Sequence, residues 1–486
     1  MAEQRALLIG GEQVPAADGR TTDDLNPHTG EVVAQVAAAT RADVTRAIDA
    51  ADAAFGQWST SAPSLRRKIL FRAGDLLEER GPAAAALMAQ ETGGTFGWSM
   101  FNVGLAANNF REAAGLATAP IGEVLATDNP DAMSLAVRQP AGVVAAFAPW
   151  NAPLILGVRA IAAPLAVGNT VVVKASEDAP LAGALFLADI LQEAGLPPGV
   201  LNVVTNDRRD AAAIGETLIA DRRVRRVNFT GSTAVGRQIA ELAARHLKPA
   251  LLELGGKNSV LVLDDADLEY AVNAVAFGAY LNSGQICMSA DRILVHRAVA
   301  DEFAARLAQR AAGLPGGDPA DPSVIIGPLI SADAAKRVSG LVDEAAAAGA
   351  RVLAGGGVPD GSHYPATVLA DVTPDMRIHT QEIFGPVCTV LTVDDEDHAV
   401  EVANDSPYGL TAGVVTRDQA RGLAVARRLR TGIVHVNDQS VDDEPMAPFG
   451  GVGDSGYGRF GGRAALDAFT DLRWITLQQR PKRFPF

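Results

Sequence analysis

The sequence predicts an α/β fold in which a doubly wound parallel sheet is followed by a second α/β domain. Two observations carry this prediction. Between residues 142 and 205, β-branched runs alternate with alanine-rich stretches in the order GVVAAFAP, LILGVRAIAAPLA, NTVVVKAS, PLAGALFLADILQEAG and GVLNVVT, which indicates a βαβαβ arrangement and hence a parallel sheet. From Gly255 onward the pattern restarts with NSVLVLDDADL and the helical EYAVNAVAFGAYLN.

Further elements follow from the same kind of pattern. Residues 224–229 are predicted to form a strand, and residues 232–246 a helix whose apolar positions recur at helical spacing. Alanine-rich helices are expected around 301–312 and 332–348. The interval 124–140 and the tail 471–486 are expected to be strands outside both cores, placed to join subunits.

Composition excludes several classes of protein. The chain has 486 residues, 48% of them hydrophobic and 20% charged, which fits two or three globular domains. A formal net charge of −15 argues against a nucleic-acid partner. The longest apolar run, 153–173, is interrupted by charged, proline and glycine residues, so no membrane span is expected. Two cysteines and no signal-peptide pattern favour the cytoplasm.

Cys287 is the first candidate for chemistry. It lies in GQICMS, just after the helical run that ends near Asn282, with Gly284 three residues before it. A thiol nucleophile needs access and a lowered pKa, and a nearby glycine lets backbone and substrate approach closely. A lone cysteine among apolar neighbours is more often a buried structural residue, so the motif alone leaves both interpretations open.

Two polar residues follow predicted strands of the first sheet. Glu253 ends an apolar run before the glycines of LLELGGK, and a carboxylate there is either functional or salt-bridged. Asn151 in APWNAP follows the first strand of the sheet, where ligands gather in open α/β folds. Its amide is suited to bind an oxyanion without adding charge, although an ordinary turn asparagine explains it equally well.

Two segments point to a dinucleotide. FTGSTAVG joins a strand through Gly231 to a helix start, whose N–H groups suit a phosphate, and Gly236 would let the helix sit close to the sheet. In VVVKASE, Lys174 and Glu177 suit a ribose, and the carboxylate should disfavour a 2′-phosphate. NAD is therefore favoured, with NADP as the alternative. Glycines used for packing and a surface ion pair are the competing interpretations.

Together these segments resemble the aldehyde dehydrogenase superfamily across essentially the whole chain. The matching strings are PWN at 149–151, KASE at 174–177, FTGST at 229–233, LELGGK at 252–257, GQICMS at 284–289, EIFGPV at 382–387 and PFGG at 448–451. Within the superfamily, ETGGTFGWSMFN, NAPLILGVRAIAAPLAVGN and SGYGRFGG look most like the vanillin, benzaldehyde and salicylaldehyde dehydrogenases.

The resemblance implies a three-part subunit with a Rossmann-like cofactor domain, an α/β catalytic domain and a small β bridging domain that builds homodimers or homotetramers. We place the NAD-binding domain at 1–122 and 142–254, the catalytic domain at 255–442, and the oligomerisation strands at 123–141 and 466–486. No metal ligand is expected. The cofactor contacts implied are Pro149, Trp150, Lys174, Ser176, Glu177, Gly231, Ser232, Gly236, Leu254, Gly255, Glu382 and Phe384.

The resemblance also assigns catalytic roles. Cys287 would attack the aldehyde, the Asn151 amide and a backbone N–H at Cys287 would hold the oxyanion, and Glu253 would activate the water that releases the acid. Departures from the family pattern are Asn206, where many relatives carry glycine, and GGVGDSG, which lacks the usual lysine. They are expected to affect cofactor affinity and the exit region, and they leave the three catalytic residues unchanged.

An aromatic aldehyde is the expected substrate. Trp98 and Tyr457 would give the pocket aromatic walls, and Arg159 would bond a ring hydroxyl or methoxy group. The competing interpretations are a core tryptophan, a tyrosine that only supports the subunit interface and an interhelix ion pair. The alternatives for the whole protein are an aliphatic or broad-specificity aldehyde dehydrogenase, a CoA-acylating dehydrogenase, which Glu253 argues against, and a binding protein without turnover.

Overall fold

The computed structural model describes residues 3–486. Its strands are β1 Glu3–Arg5, β2 Leu7–Ile9, β3 Glu12–Val14, β4 Thr21–Leu25, β5 Val32–Ala37, β6 Gly122–Leu125, β7 Ala132–Pro140, β8 Val143–Phe147, β9 Thr170–Lys174, β10 Leu201–Val204, β11 Val224–Thr230, β12 Ala250–Glu253, β13 Asn258–Val262, β14 Ala290–His296, β15 Arg351–Ala354, β16 Thr367–Ala370, β17 Val387–Val393, β18 Tyr408–Gly409, β19 Thr411–Val415, β20 Ile433–Val436, β21 Val452–Gly453, β22 Gly456–Tyr457 and β23 Thr470–Gln478.

The α-helices are α1 Arg41–Ser59, α2 Pro63–Glu79, α3 Gly81–Thr92, α4 Phe96–Leu116, α5 Pro153–Ala166, α6 Phe186–Glu193, α7 Ala211–Ala220, α8 Thr233–Arg245, α9 Leu268–Tyr280, α10 Ala300–Ala312, α11 Ala332–Ala347, α12 Arg377–Thr380, α13 Glu396–Asn404, α14 Gln419–Ala426 and α15 Gly462–Ala468. A π-helical turn at Leu181–Leu185 leads directly into α6.

The first large sheet has the strand order β22-β12-β11-β8-β9-β10-β2-β3. Its five central strands, β12 to β10, are parallel, and the strands at both edges are antiparallel. Central strands such as β8 and β9 are buried along their whole length, which explains why they appear in the sequence as continuous runs of valine and alanine. The predicted parallel sheet is therefore confirmed.

The second large sheet has the order β15-β16-β17-β14-β13-β19-β20 and is parallel except for β15. The helices predicted in this region, α9, α10 and α11, are present. The expected second α/β unit is confirmed. The residue boundaries given above for the three domains stay a prediction, and β22 pairs with β12 although the predicted boundaries assign residues 456–457 to no domain.

The third sheet, β23-β7-β6, is antiparallel and is formed by the two segments predicted as separate strands. One expectation about it is wrong. The tail forms α15 and then β23, and residues 479–486 lie outside any strand. The reason is that Gln478 pairs with Ala132, the first residue of β7, so β7 offers no further residue for β23 to pair with. In addition, Pro481 has no backbone N–H to donate to a sheet.

Within residues 3–486, no helix combines the length and the apolar character needed to cross a bilayer. Both cysteines, Cys287 and Cys388, are free thiols.

Candidate active site

A cavity of about 550 Å³ opens where segments from the two large sheets meet. Residues that follow the parallel strands β8, β11 and β12 form one side of it, as expected for the carboxyl edge of an open sheet. The predicted residues that line it are Pro149, Trp150, Asn151, Gly231, Ser232, Glu253, Gly255, Cys287, Glu382 and Phe384. Six further residues line the cavity and were not predicted from the sequence, namely Thr230, Thr233, Ala234, Arg337, Gln381 and Tyr408.

Cys287 lies in the loop between α9 and β14, and its side chain is partly exposed to the cavity. The loop starts with a sharp turn in which Asn282 and Ser283 have φ values of 49° and 53°. Gly284 follows with φ of 70°, and a Cβ there would collide with the carbonyl of Gly385. The glycine noted in the sequence is thus required both by the turn and by close approach of a neighbouring loop.

The loop carrying Cys287 is fixed by one side chain from the second sheet. Asn258 Nδ2 donates to the carbonyl of Cys287 at 2.8 Å and to that of Ser289 at 2.9 Å. Asn258 Oδ1 accepts from the Thr411 N–H of β19 at 3.3 Å. Asn258 was not identified in the sequence analysis, because nothing in the motif GGKNS shows that its side chain reaches a loop 29 residues away.

The Glu253 carboxyl ends β12, is almost fully buried and faces the Cys287 thiol across the cavity. Burial raises the pKa of Glu253 to about 7, although the neighbouring Cys287 thiol and the charge of Arg159 act to lower it. Burial also raises the pKa of Cys287 well above its ordinary value, and the neighbouring Glu253 charge adds to this. A carboxyl with a pKa near 7 beside a protonated thiol is suited to accept a proton at neutral pH.

Asn151 lines the cavity and is held both through its backbone carbonyl and through its side-chain amide. Trp98 Nε1 donates to the Asn151 carbonyl at 3.1 Å, and Asn282 Nδ2 donates to it at 3.0 Å. The Asn151 Nδ2 itself donates to the Gln285 carbonyl at 3.0 Å. Because an amide nitrogen carries two hydrogens, one N–H remains for an oxyanion.

The helix α8 begins at the same cavity. Gly231 to Ala234 line it, and the Ser232 side chain caps the helix by accepting from the Val235 N–H. Gly236 does not line the cavity, but a Cβ there would collide with the Leu254 side chain, so this glycine lets the helix lie against the sheet as predicted. A helix N-terminus of this kind is suited to a phosphate group.

The opposite wall is formed by Glu382 and Phe384. Gly256 N–H donates to Glu382 Oε1 at 2.9 Å, and a Cβ on Gly255 would clash with the same carboxyl. Burial raises the pKa of Glu382 to about 7. Phe384 has φ of 50°, uncommon for a residue with a side chain, and its ring packs edge-on against Trp150 with centroids 5.6 Å apart.

Lys174, Ser176 and Glu177 lie at the carboxyl end of β9 and just beyond it, outside the residues that line the cavity. Glu177 Oε1 accepts from Lys174 Nζ at 2.5 Å and from Asn206 Nδ2 at 2.9 Å. Burial alone would raise the pKa of Glu177, but Lys174 and Asn206 outweigh it and the pKa is lowered. Asn206, the departure from the family pattern, thus helps to hold Glu177 as an anion.

These features fit a dinucleotide. The α8 N-terminus suits the diphosphate, the Glu177 carboxylate a ribose, and the glycine-lined wall beside Glu382 leaves room for a flat ring against Phe384. In the described part of the chain, no group of three or more His, Cys, Asp or Glu side chains is arranged to hold a metal ion.

The three predicted substrate-pocket residues do not line this cavity. Trp98 is buried, and its Nε1–H donates to the Asn151 carbonyl. Tyr457 is on the outer edge strand β22, paired with Leu252, and is 50% exposed. Arg159 is buried on α5 and forms an ion pair with Asp443, which lies in a loop, so the alternative of an interhelix pair is wrong.

Known proteins resemble this chain over its full length. Residues 14–475 match the model of the aldehyde dehydrogenase family. A vanillin dehydrogenase from Pseudomonas fluorescens is 53% identical, and the match covers 99% of each chain. A benzaldehyde dehydrogenase (NAD+) from Pseudomonas putida is 42% identical over 97% of this chain and 96% of its own. The crystal structure of a salicylaldehyde dehydrogenase from Pseudomonas putida G7, complexed with salicylaldehyde, superposes with a TM-score of 0.97 at 43% identity over 100% of both chains.

Proposed function

Because the chain belongs to the aldehyde dehydrogenase family, we propose that it oxidises aromatic aldehydes of the vanillin, benzaldehyde and salicylaldehyde type to carboxylic acids. The observation that carries the proposal is the cavity in which Cys287, Glu253 and Asn151 come together. Relatives named for these three aldehydes are 42% to 53% identical over nearly the full length, which supports the aromatic substrate class.

The chemistry begins with the Cys287 thiol. Its raised pKa means that it needs a base, and the Glu253 carboxylate accepts the thiol proton. The thiolate attacks the aldehyde carbon, and the new oxyanion accepts hydrogen bonds from the free Asn151 amide N–H and from the backbone N–H of Cys287. This gives a thiohemiacetal on the protein.

When bound, the nicotinamide dinucleotide supplies the hydride acceptor that turns the thiohemiacetal into a thioester. Glu253 first releases the thiol proton to solvent and then takes a proton from a water molecule whose hydroxide adds to the thioester carbon. The carbon–sulfur bond breaks, the carboxylic acid leaves, and the proton on Glu253 passes to the Cys287 thiolate to restore the thiol. The same carboxyl therefore serves twice, and a pKa of about 7 suits both proton transfers. No step of this mechanism requires CoA, because water cleaves the thioester.

NAD is the preferred cofactor in this proposal. The Glu177 carboxylate, held by Lys174 and Asn206, accepts hydrogen bonds from ribose hydroxyls and repels a 2′-phosphate. The relative named as benzaldehyde dehydrogenase (NAD+) supports the same preference.

Arg159 is the residue proposed to bond a ring hydroxyl or methoxy group, but it does not line the cavity that holds Cys287. The Arg159 guanidinium packs over the Phe449 ring, 4.4 Å from its centroid, and lines a separate small pocket together with Phe460. An arginine stacked on an aromatic ring is suited to a phenol or methoxy oxygen. Trp98 holds Asn151 in place through the hydrogen bond to its carbonyl. Tyr457 lies on the edge strand β22 and is not a substrate contact in this proposal.

The third sheet supports assembly into homodimers or homotetramers, because its strands expose large apolar side chains. Two free cysteines suit the cytoplasm.

The test is the absorbance of reduced cofactor when the purified protein meets benzaldehyde, vanillin, salicylaldehyde and straight-chain aldehydes, first with NAD and then with NADP. We expect aromatic aldehydes with NAD to give the highest kcat/KM, and Cys287→Ser to abolish it. Preference for straight chains would contradict the aromatic class, dependence on CoA would favour the acylating alternative, and absence of turnover with every aldehyde would overturn the proposal.

A further inference from the structure

A buried ion pair lies next to the segment that carries Glu382 and Phe384, and no catalytic step uses it. Lys257 Nζ is 3.2 Å from Asp291 Oδ2, and the two side chains are 0% and 4% exposed. Lys257 lies between β12 and β13, and Asp291 is the second residue of β14. Within residues 3–486, Lys257 Nζ forms no hydrogen bond, so it acts on Asp291 through its charge.

Asp291 connects this pair to the wall of the cavity. The Ile383 N–H donates to Asp291 Oδ2 at 3.2 Å, and the same oxygen faces Lys257. Ile383 is fully buried and lies between Glu382 and Phe384, which both line the cavity. One carboxylate oxygen therefore accepts a hydrogen bond from the backbone of the wall and attracts the lysine at the same time.

A second contact joins the same two segments. Gly256 donates its N–H to Glu382 Oε1 at 2.9 Å, and the next residue, Lys257, acts on the following position of the wall through Asp291. Phe384 then has φ of 50°, a strained conformation for a residue with a side chain, which persists only where its surroundings fix it. The hydrogen bond to Asp291 is made by the residue directly before this strained one.

Lys257 favours the form of Asp291 that accepts most strongly. Burial raises the pKa of Asp291, and the charge of Lys257 is the largest influence that opposes this, ahead of the hydrogen bond from Ile383. An ionised carboxylate accepts a stronger hydrogen bond than a protonated one. The pair therefore strengthens the contact that holds the wall.

We propose that Asp291 is a positioning residue for the cofactor. By accepting from the Ile383 N–H, its carboxylate fixes the residues on either side before the nicotinamide half of the dinucleotide binds. Asp291 does not line the cavity, so it acts through the wall and not on the cofactor itself. This inference rests on the proposed function, which assigns the nicotinamide half to this wall and the adenosine half to Glu177 and the start of α8.

The test compares two ligands on the same protein. NAD carries both halves of the dinucleotide, whereas ADP carries the adenosine diphosphate alone. A change confined to the wall should therefore weaken the binding of NAD and leave that of ADP unchanged, whereas general loss of structure would weaken both. The two dissociation constants are measured by isothermal titration calorimetry without aldehyde, so the readout does not depend on turnover.

Two double variants remove both charges and differ only at position 291. Lys257→Met with Asp291→Asn keeps a side-chain oxygen that can accept from Ile383, and its Kd for NAD should stay close to that of the unmodified protein. Lys257→Met with Asp291→Ala leaves this buried N–H without an acceptor, so its Kd for NAD should rise about tenfold or more. Its Kd for ADP should stay within about twofold, as expected for an independent site.

Ile293→Val is the matched control for disturbance of β14. Ile293 is fully buried two residues after Asp291, and the substitution removes one carbon without touching the wall contact. We expect it to change neither dissociation constant.

Equal weakening of NAD and ADP in the alanine variant would overturn the inference. So would an asparagine variant that loses NAD binding as strongly as the alanine variant does. If the alanine variant does not fold, hydrogen exchange of the unmodified protein without cofactor decides, with mass spectrometry resolving the Ile383 amide. Protection of this amide would support a wall that is held in advance, and exchange at the rate of an unstructured chain would overturn it.

The proposed function can fail separately. An unmodified protein that does not bind NAD would overturn the proposed function and this inference with it. One that binds NAD but oxidises no aldehyde would overturn the proposed function alone.

Discussion

Two buried carboxyl groups, Glu253 and Glu382, face the same cavity, and burial raises the pKa of each to about 7. Their neighbours differ. Glu253 faces the Cys287 thiol, whereas Glu382 accepts a backbone hydrogen bond from Gly256 and belongs to the wall proposed for the cofactor. A pH profile of the unmodified enzyme therefore contains contributions from both groups, and single substitutions are needed to separate them.

Glu253 is expected to produce the acidic limb of kcat. A general base works only when deprotonated, so kcat should fall as the pH drops below about 7 and level off above it. Glu253→Gln should lower kcat by about 10² to 10⁴ and remove the limb. The measurement is kcat at saturating aldehyde and cofactor from pH 5.5 to 9.

Glu382→Gln is the informative comparison, and it should keep the limb in kcat while raising KM for the cofactor. Glu241→Gln, an exposed carboxyl on α8, controls for loss of one negative charge and should change neither. An acidic limb that survives in Glu253→Gln and disappears in Glu382→Gln would reverse the two assignments.

Glu177 is expected to control the choice between NAD and NADP. Glu177→Gln keeps the size of the side chain and removes the charge that repels a 2′-phosphate, so the ratio of kcat/KM for NADP to that for NAD should rise about tenfold, or about 1.4 kcal/mol. Steady-state rates with each cofactor measure it. Asp178→Asn, the neighbouring carboxylate that pairs with Arg208 on the surface, is the control. A ratio that rises equally in both variants would show that overall charge, and not Glu177, sets the preference.

At the scale of elements, the segment from Glu253 to Asn258 joins β12 to β13 and touches each part of the site. Glu253 reaches the thiol, Gly256 holds Glu382, and Asn258 holds the loop of Cys287. Because these contacts come from six consecutive residues, a shift of β13 would move the base, the cofactor wall and the nucleophile together.

Removing the Asn258 amide should therefore lower the reactivity of Cys287, although Cys287 itself is unchanged. Asn258→Ala leaves the buried carbonyls of Cys287 and Ser289 without their donor, at a cost of about 1–3 kcal/mol for each unpaired group. We expect slower alkylation of Cys287 by iodoacetamide and a kcat at least about tenfold lower, the effect of a misplaced reacting group. Both rates are measured on protein whose folding is checked by thermal unfolding.

The neighbouring Ser259→Ala is a matched control. Ser259 is equally buried, but its hydroxyl has no hydrogen-bond partner within residues 3–486, so its removal should cost little. If Ser259→Ala slowed alkylation as much as Asn258→Ala, the effect would be general disturbance of β13 and not loss of the amide.

The sequence predicted these elements well where local pattern determines them. β8 to β11 follow from runs that contain β-branched residues and β12 from the apolar run that ends at Glu253. The helix α8 follows from apolar residues at helical spacing, and α10 and α11 follow from alanine-rich stretches. It did not predict β22, because two residues are too few to carry a pattern and their pairing with β12 depends on a chain reversal far along the sequence. The end of β23 was also misplaced, since the length of β7 and not the tail's own residues determines it.

At the scale of the whole molecule, the residues found from motifs are those proposed to react or to bind the cofactor, and the residues that were not found hold other parts of the structure in place from a distance in the sequence. Asn258 contacts a loop 29 residues away, and Asp443 contacts a helix residue 284 positions earlier. Neither has a local signature, because an amide or carboxylate that follows a strand looks the same whether it faces solvent or a buried arginine. Only the packing of the two large sheets brings these partners together.

The third sheet carries the last prediction. Large apolar side chains remain exposed on it, with Val124 at 75%, Leu472 at 63% and Trp474 at 73%. A three-stranded sheet with exposed apolar residues gains stability when another surface covers them, and the resemblance to a family that builds dimers and tetramers makes a second copy of the chain the expected cover.

The unmodified protein should therefore elute from size-exclusion chromatography with light scattering as a dimer or tetramer. Leu472→Lys with Trp474→Lys should shift it toward a monomer, because two buried charges would have to be desolvated on association. Val235→Lys, at an apolar position of α8 that is 42% exposed, is the control and should leave the mass unchanged. A monomeric unmodified protein at micromolar concentration would contradict the role of this sheet in assembly.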